Sequence, residues 1–99
     1  MSKSILVVKT APESPEAADA YNDWYDNTHL GELLALDGCT SARRYLADDG
    51  GSYLAVYEFD CDADTAKARF GAAFPSMAPP VKVRMDPPPS MEFYNVYGG

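Results

Sequence analysis

A chain of 99 residues has room for one domain around one core, spanning positions 1–99, and none for a second. Hydrophobic residues make up 46% of it, which excludes a disordered chain and describes a folded globular one. The formal net charge of −7 argues against nucleic acid or an anionic membrane as partner, because phosphates repel such a surface.

Residues 5–9 read as a first strand, apolar on both faces. The apolar run at 5–8 is too short for a signal peptide or a membrane span. With no secretory signal, Cys39 and Cys61 are expected as free thiols in a reducing cytoplasm. Two cysteines and one histidine lack the spacing of a zinc site, so no metal is expected.

Ser14 is placed to cap a helix and Pro15 to occupy its first position. The helix is expected over 16–29, interrupted at Gly31, with a further turn over 32–36 and an end at Asp37-Gly38. This helix carries the most informative stretch of the chain, residues 21–30, with three large aromatics and the only histidine. At about 3.6 residues per turn Tyr21, Trp24, Tyr25 and Thr28 share one side, and His29 falls one turn after Tyr25 at its rim. Asn22, Asp23, Asp26 and Asn27 are expected in water. Aromatic walls beside a titratable group suit a pocket for a flat organic molecule. Their plainer reading is a packed core.

Residues 40–47 and Tyr53–Phe59 read as strands joined by Asp48-Asp49-Gly50-Gly51-Ser52, a strong turn signal, and so as a hairpin. If 48–52 form the loop, paired residue numbers sum to near 100. Arg43 then faces Tyr57, Tyr45 faces Ala55, and Tyr53, Tyr45, Tyr57 and Arg43 share a face. Arg43 and Arg44 are neighbours on a strand, so one of them must point inward. That arginine either holds a substrate carboxylate or phenolate or pairs with Glu58, Glu92 or Glu32.

Asp62 or Asp64 can cap a second helix over Ala63–Ala73, which Pro75, Pro79 and Pro80 terminate. Residues 81–85 are ambiguous and the three prolines at 87–89 must be irregular. Residues 91–97 read as the last strand, carrying Tyr94 and Asn95. No phosphate loop, dinucleotide fingerprint or serine nucleophile elbow occurs.

The order strand, helix, strand, strand, helix, strand is the ferredoxin-like βαββαβ arrangement. It implies an α+β fold, a four-stranded antiparallel sheet with two helices on one face. The other face should be polar in a monomer, yet the strands are apolar at both parities. A homodimer packed through that face accounts for this.

The block Tyr21-Asn22-Asp23-Trp24-Tyr25-Asp26-Asn27-Thr28-His29-Leu30-Gly31-Glu32-Leu33-Leu34, then Asp37-Gly38 and Ala42-Arg43-Arg44-Tyr45, resembles the EthD-like group of the dimeric α+β barrel superfamily. Many relatives carry proline where this chain has Gly31 and Asp37. The resemblance implies a dimer with a pocket between each sheet and its helices. It also implies a choice among polyketide cyclases, dehydratases, lactone isomerases, cofactor-independent monooxygenases and haem-handling enzymes.

His29 is the candidate general base, since its ordinary pKa lies near neutrality; the alternative is a histidine at a helix C-terminus touching the last carbonyls. Tyr21, Trp24, Tyr25, Arg43, Tyr45, Tyr57 and Asn95 are the candidate substrate-binding residues. The expected activity is proton transfer on an aromatic or polyketide-like molecule, with no metal or organic cofactor, of cyclase, dehydratase or isomerase type. The rivals are a cofactor-independent monooxygenase, a haem protein with His29 as axial ligand, and a binding module without turnover.

Overall fold

The computed structural model describes residues 3–98. Strands β1 (Ser4–Thr10), β2 (Cys39–Leu46), β3 (Tyr53–Phe59) and β4 (Ser90–Asn95) form one antiparallel sheet in the order β2-β3-β1-β4. The helices are α1 (Ala18–Trp24), α2 (Leu30–Leu34) and α3 (Ala63–Ala73). Both helical units lie on one face, the ferredoxin-like α+β fold. No helix among the described residues is long and apolar enough to cross a membrane.

Alternation along β1 and β3 sets the layers. Leu6 and Val8 with Ala55, Tyr57 and Phe59 are buried under the helices, against Tyr21, Tyr25, Leu33, Ala66 and Phe70. Ile5, Val7, Leu54 and Val56 take the opposite parity and form an apolar strip on the face the helices leave uncovered.

The first helical unit differs from expectation. Gly31 does not interrupt it. Helix runs without a break from Ala18 to Leu34, because α1 passes through a π-helical segment, Tyr25–His29, into α2. Space around Gly31 is open, so glycine there costs backbone entropy but forces no break. Ser14 makes no side-chain cap; only its carbonyl is used, accepting from Ala17 N–H at 3.1 Å, and Pro15–Ala17 is a 3-10 turn.

At the other end of the unit Gly38 has φ +89°, and a Cβ there would meet Arg69 Nη1 at 2.6 Å and Asp60 Oδ1 at 2.9 Å. Glycine is therefore required on both steric counts. Helix α3 begins as expected: Asp62 Oδ1 accepts from Thr65 N–H at 2.8 Å. Asn95 Oδ1 adds a second cap, accepting from Ala63 N–H at 2.8 Å.

The hairpin register is a correction. Ala47 N–H donates to Ser52 O at 2.9 Å, so the turn closes on that pair and the numbers sum to 47 + 52 = 99. Arg43 consequently faces Val56, Arg44 faces Ala55 and Tyr45 faces Leu54. A one-residue slip exchanges the faces of every side chain. Arg44 therefore lies on the helix side with Tyr53 and Tyr57, and Arg43 and Tyr45 lie on the uncovered face.

Candidate active site

Between sheet and helices lies a cavity of about 450 Å³, within the size range of small-molecule pockets. Leu6 and Val8 form part of its floor, and Trp24, Tyr25, His29 and Leu33 contribute one wall. Phe70 and the irregular segment after α3, with Met77, Ala78, Val83 and Met85, supply the rest. That segment is pinned by a bridge between Val83 and Pro12 and by Arg84 N–H donating to Ala11 O at 2.8 Å. Phe74, Met85 and Met91 are about half exposed at the rim. The lining is overwhelmingly apolar, so the few polar atoms on it stand out.

His29 sits on this wall with its imidazole well buried. Its Nδ1 faces Glu32 Oε1 at 3.2 Å, and Glu32 Oε2 accepts from Ala78 N–H at 2.7 Å. A carboxylate can only accept, so the proton of the neutral ring belongs on Nδ1 and the Nε2 lone pair is the basic site. Burial pushes the imidazole below its ordinary value of 6.5, against the weaker upward pull of Glu32. The ring is thus neutral, and basic at Nε2, around neutral pH. Trp24 stacks on it with ring centroids 4.7 Å apart, and Tyr25 meets it edge-on at 5.2 Å. His29 is not at a helix end, so the reading of it as a C-terminal cap loses its geometry.

Two buried donors of residues that line the cavity have no hydrogen-bond partner, Trp24 Nε1 and Tyr57 Oη. Such groups are rare in folded proteins because each forfeits its hydration. Burial raises the Tyr57 phenol far above its ordinary value, so it is a neutral O–H donor. The neighbouring Tyr25 phenol pushes it the same way, but no contact of hydrogen-bond geometry joins the two hydroxyls.

The remaining candidates lie elsewhere. Tyr21 is fully buried in the core, its hydroxyl bonded to Thr10 Oγ1. Arg43 and Tyr45 face away from the cavity, and Asn95 is committed to capping α3. The inward arginine is Arg44, a strut rather than a ligand clamp. Its Nη1 donates to Asn22 Oδ1 at 2.9 Å and Asp26 Oδ1 at 3.0 Å. The guanidinium also lies over Tyr21, Tyr25 and Tyr53, at 4.4 Å from the Tyr25 centroid. Its carboxylate partner is therefore Asp26, not Glu58, Glu92 or Glu32. Asn22 is half-buried in this network instead of solvated.

Sequence reasoning missed the role of residues 77–85, because no periodicity marks an irregular segment as a wall. Its one signal is apolar side chains among prolines, where an ordinary loop is polar. For Glu32 the sequence suggests only an arginine partner. Its position three residues after His29 on one helix was the available cue.

No family model matches the chain, and no curated protein matches it in sequence. Solved structures do. Rv0793 from Mycobacterium tuberculosis superposes with a TM-score of 0.68 at 17% identity, over 98% of this chain and 97% of that one. A monooxygenase from the ActVA-Orf6 gene of Streptomyces coelicolor, solved in complex with nanaomycin D, gives 0.58 at 17% identity over 97% and 88%. NE2512 from Nitrosomonas europaea gives 0.59 at 18% identity, over 100% of this chain and 93% of that one. At these identities the likeness is one of fold.

Proposed function

We propose that this chain is a small-molecule enzyme that begins its reaction by transferring a proton from an aromatic or polyketide-like substrate to His29. The observation that carries the reading is an oriented imidazole on an apolar cavity that is also lined by Trp24 and Tyr57, whose buried N–H and O–H have no partner. Nε2 takes the proton from a phenol O–H or an acidic C–H, and the electron pair stays on the substrate as phenolate or enolate. Tyr57 O–H and Trp24 N–H donate to the developing oxyanion, and Glu32 faces the imidazolium that forms. Return of the proton at another position gives isomerisation; loss of hydroxide gives dehydration; attack of the carbanion on a carbonyl gives cyclisation. The step itself needs no metal or organic cofactor.

One observation favours a second outcome of the same first step. A monooxygenase holding a small molecule shares the fold, and an apolar cavity shields a carbanion from water while admitting oxygen. There a ring methylene and one O₂ become a ring carbonyl and one water, the substrate supplying the electrons. Oxygen uptake in step with product formation selects this outcome; product without uptake selects the lyase or isomerase type.

The proposal includes a homodimer of the dimeric α+β barrel kind, placed nearest the EthD-like group on the block at 21–45. Ile5, Val7, Leu54 and Val56 form an uncovered apolar strip, and Tyr45 and Tyr94 on the same face are nearly half exposed. A second copy over that strip would remove it from water. Sedimentation should give twice the 10.8 kDa chain mass; a monomer at micromolar concentration would contradict it.

The ligand class is tested by titrating fused-ring phenols and hydroxyquinones against the emission of Trp24, the only tryptophan. Saturable quenching that Tyr57→Phe weakens is expected. No response at millimolar concentration from any member of the class would overturn the reading.

A further inference from the structure

Glu32 uses both carboxylate oxygens, one on each side of a junction. Oε1 faces His29 Nδ1 at 3.2 Å, and Oε2 accepts from the backbone N–H of Ala78 at 2.7 Å. Ala78 belongs to the irregular segment that walls the cavity, and His29 to the helix opposite. Both side chains are largely buried, at 13% exposure for His29 and 22% for Glu32. The ring's other contacts are the Trp24 face and the Tyr25 edge. Among the described residues Glu32 is the only ionisable acid or base acting on it through charge.

We infer that Glu32 is the positioning residue of the site: it fixes which imidazole nitrogen carries the proton, and the fixed donor at Ala78 makes that choice dependent on a carboxylate. The Ala78 N–H can only donate, so the group facing it must accept. A carboxylate can accept there and from Nδ1–H at the same time, which leaves the Nε2 lone pair to the cavity. A glutamine cannot do both. Its single oxygen is claimed by Ala78, because the reverse orientation would set its NH₂ against that N–H. Its NH₂ must then donate to Nδ1. The ring can accept only by moving its proton to Nε2, where it blocks the base. Near-isosteric Glu32→Gln should thus invert the tautomer while preserving the link between helix and wall.

This inference rests on His29 being the base, but its test reads the tautomer without turnover. The chain has one histidine, so long-range proton–nitrogen spectra of the imidazole need no assignment. Spectra are recorded well above pH 6.5, where the ring is neutral. The wild type should show the proton on Nδ1 and Glu32→Gln the proton on Nε2, with unchanged thermal melting. Glu32→Ala, which removes both bonds, should show the tautomer mixture of an unconstrained imidazole. Turnover in Glu32→Gln should fall about as far as in a His29 variant, at least a hundredfold. A wild-type ring protonated on Nε2, or a Glu32→Gln spectrum like the wild type, overturns the inference. The predicted spectra without turnover of any aromatic substrate support it and overturn the functional reading instead.

Discussion

Trp24 and His29 are stacked ring on ring, 4.7 Å between centroids and 17° between planes, although five residues separate them. In a regular α-helix that separation turns the two side chains about 140° apart. The π-helical segment Tyr25–His29 removes the offset, with Leu30 N–H bonding to Tyr25 O, an i to i+5 contact. Helical wideness here aligns residues five apart instead of four. It rotates His29 from the rim of the aromatic side onto the Trp24 indole, next to Tyr25 and at the cavity wall. The local deviation from α geometry is thus what assembles the site.

The acid limb of activity should fall below pH 6.5. Burial lowers the His29 pKa from that value, so kcat/KM should rise with pH through the lowered pKa and level off before neutrality. Glu32→Ala removes the group that pulls the pKa up, and should move the limb lower still. Stability carries the same sign. The unfolded chain binds the proton at 6.5 and the folded chain only at lower pH, so His29's contribution is complete above 6.5 and declines as pH falls through the window below it. The difference in denaturation midpoint between wild type and His29→Gln should be constant above pH 6.5 and shift against the wild type as pH falls through that window; an acid limb above pH 6.5 would contradict the assignment.

Tyr57→Phe should separate binding chemistry from folding. The hydroxyl has no partner, so its removal should leave stability unchanged or raise it by up to about 1 kcal/mol. Turnover should drop by about a hundredfold, the scale for losing one donor to a developing oxyanion. Equal activity in the two proteins would remove Tyr57 from the mechanism.

Gly31→Ala should stabilise the protein by about 0.5–1 kcal/mol. The residue is inside α2, and an added Cβ meets nothing within 4 Å. Urea denaturation checks this; destabilisation would mean that the helix does not continue through Gly31 in solution.

Arg44→Ala and Arg43→Ala should differ sharply. Arg44 links β2 to α1 through Asn22 and to the π-helical segment through Asp26, and stacks on three tyrosines, so its loss should cost about 1–3 kcal/mol. Arg43 is exposed, and its loss should change monomer stability by under about 0.5 kcal/mol. Thermal melts at low concentration decide between the two faces.

The fold was legible because its signals are local and repeated. The turn at Gly50, the Asp62 cap and the prolines after α3 each mark a boundary, and alternation along β1 and β3 shows a sheet. What escaped depends on single-residue geometry. Whether the β2–β3 turn held five residues or four decided whether Arg43 or Arg44 faced inward, and turn composition alone does not count them. A π segment leaves no periodic trace, so the sequence points to Trp24 and His29 separately but not to their stacking. The Glu32–Ala78 bond spans 46 positions and involves a backbone donor, which no side-chain pattern announces.

The most direct test of the central claim is turnover by His29→Gln, which fills the same space without a base titrating near neutrality. Melting temperature and sedimented mass are measured on the same samples. The account predicts a loss of about a hundredfold or more in the proton-transfer step, with folding and assembly retained. Undiminished turnover in a folded His29→Gln protein would contradict it.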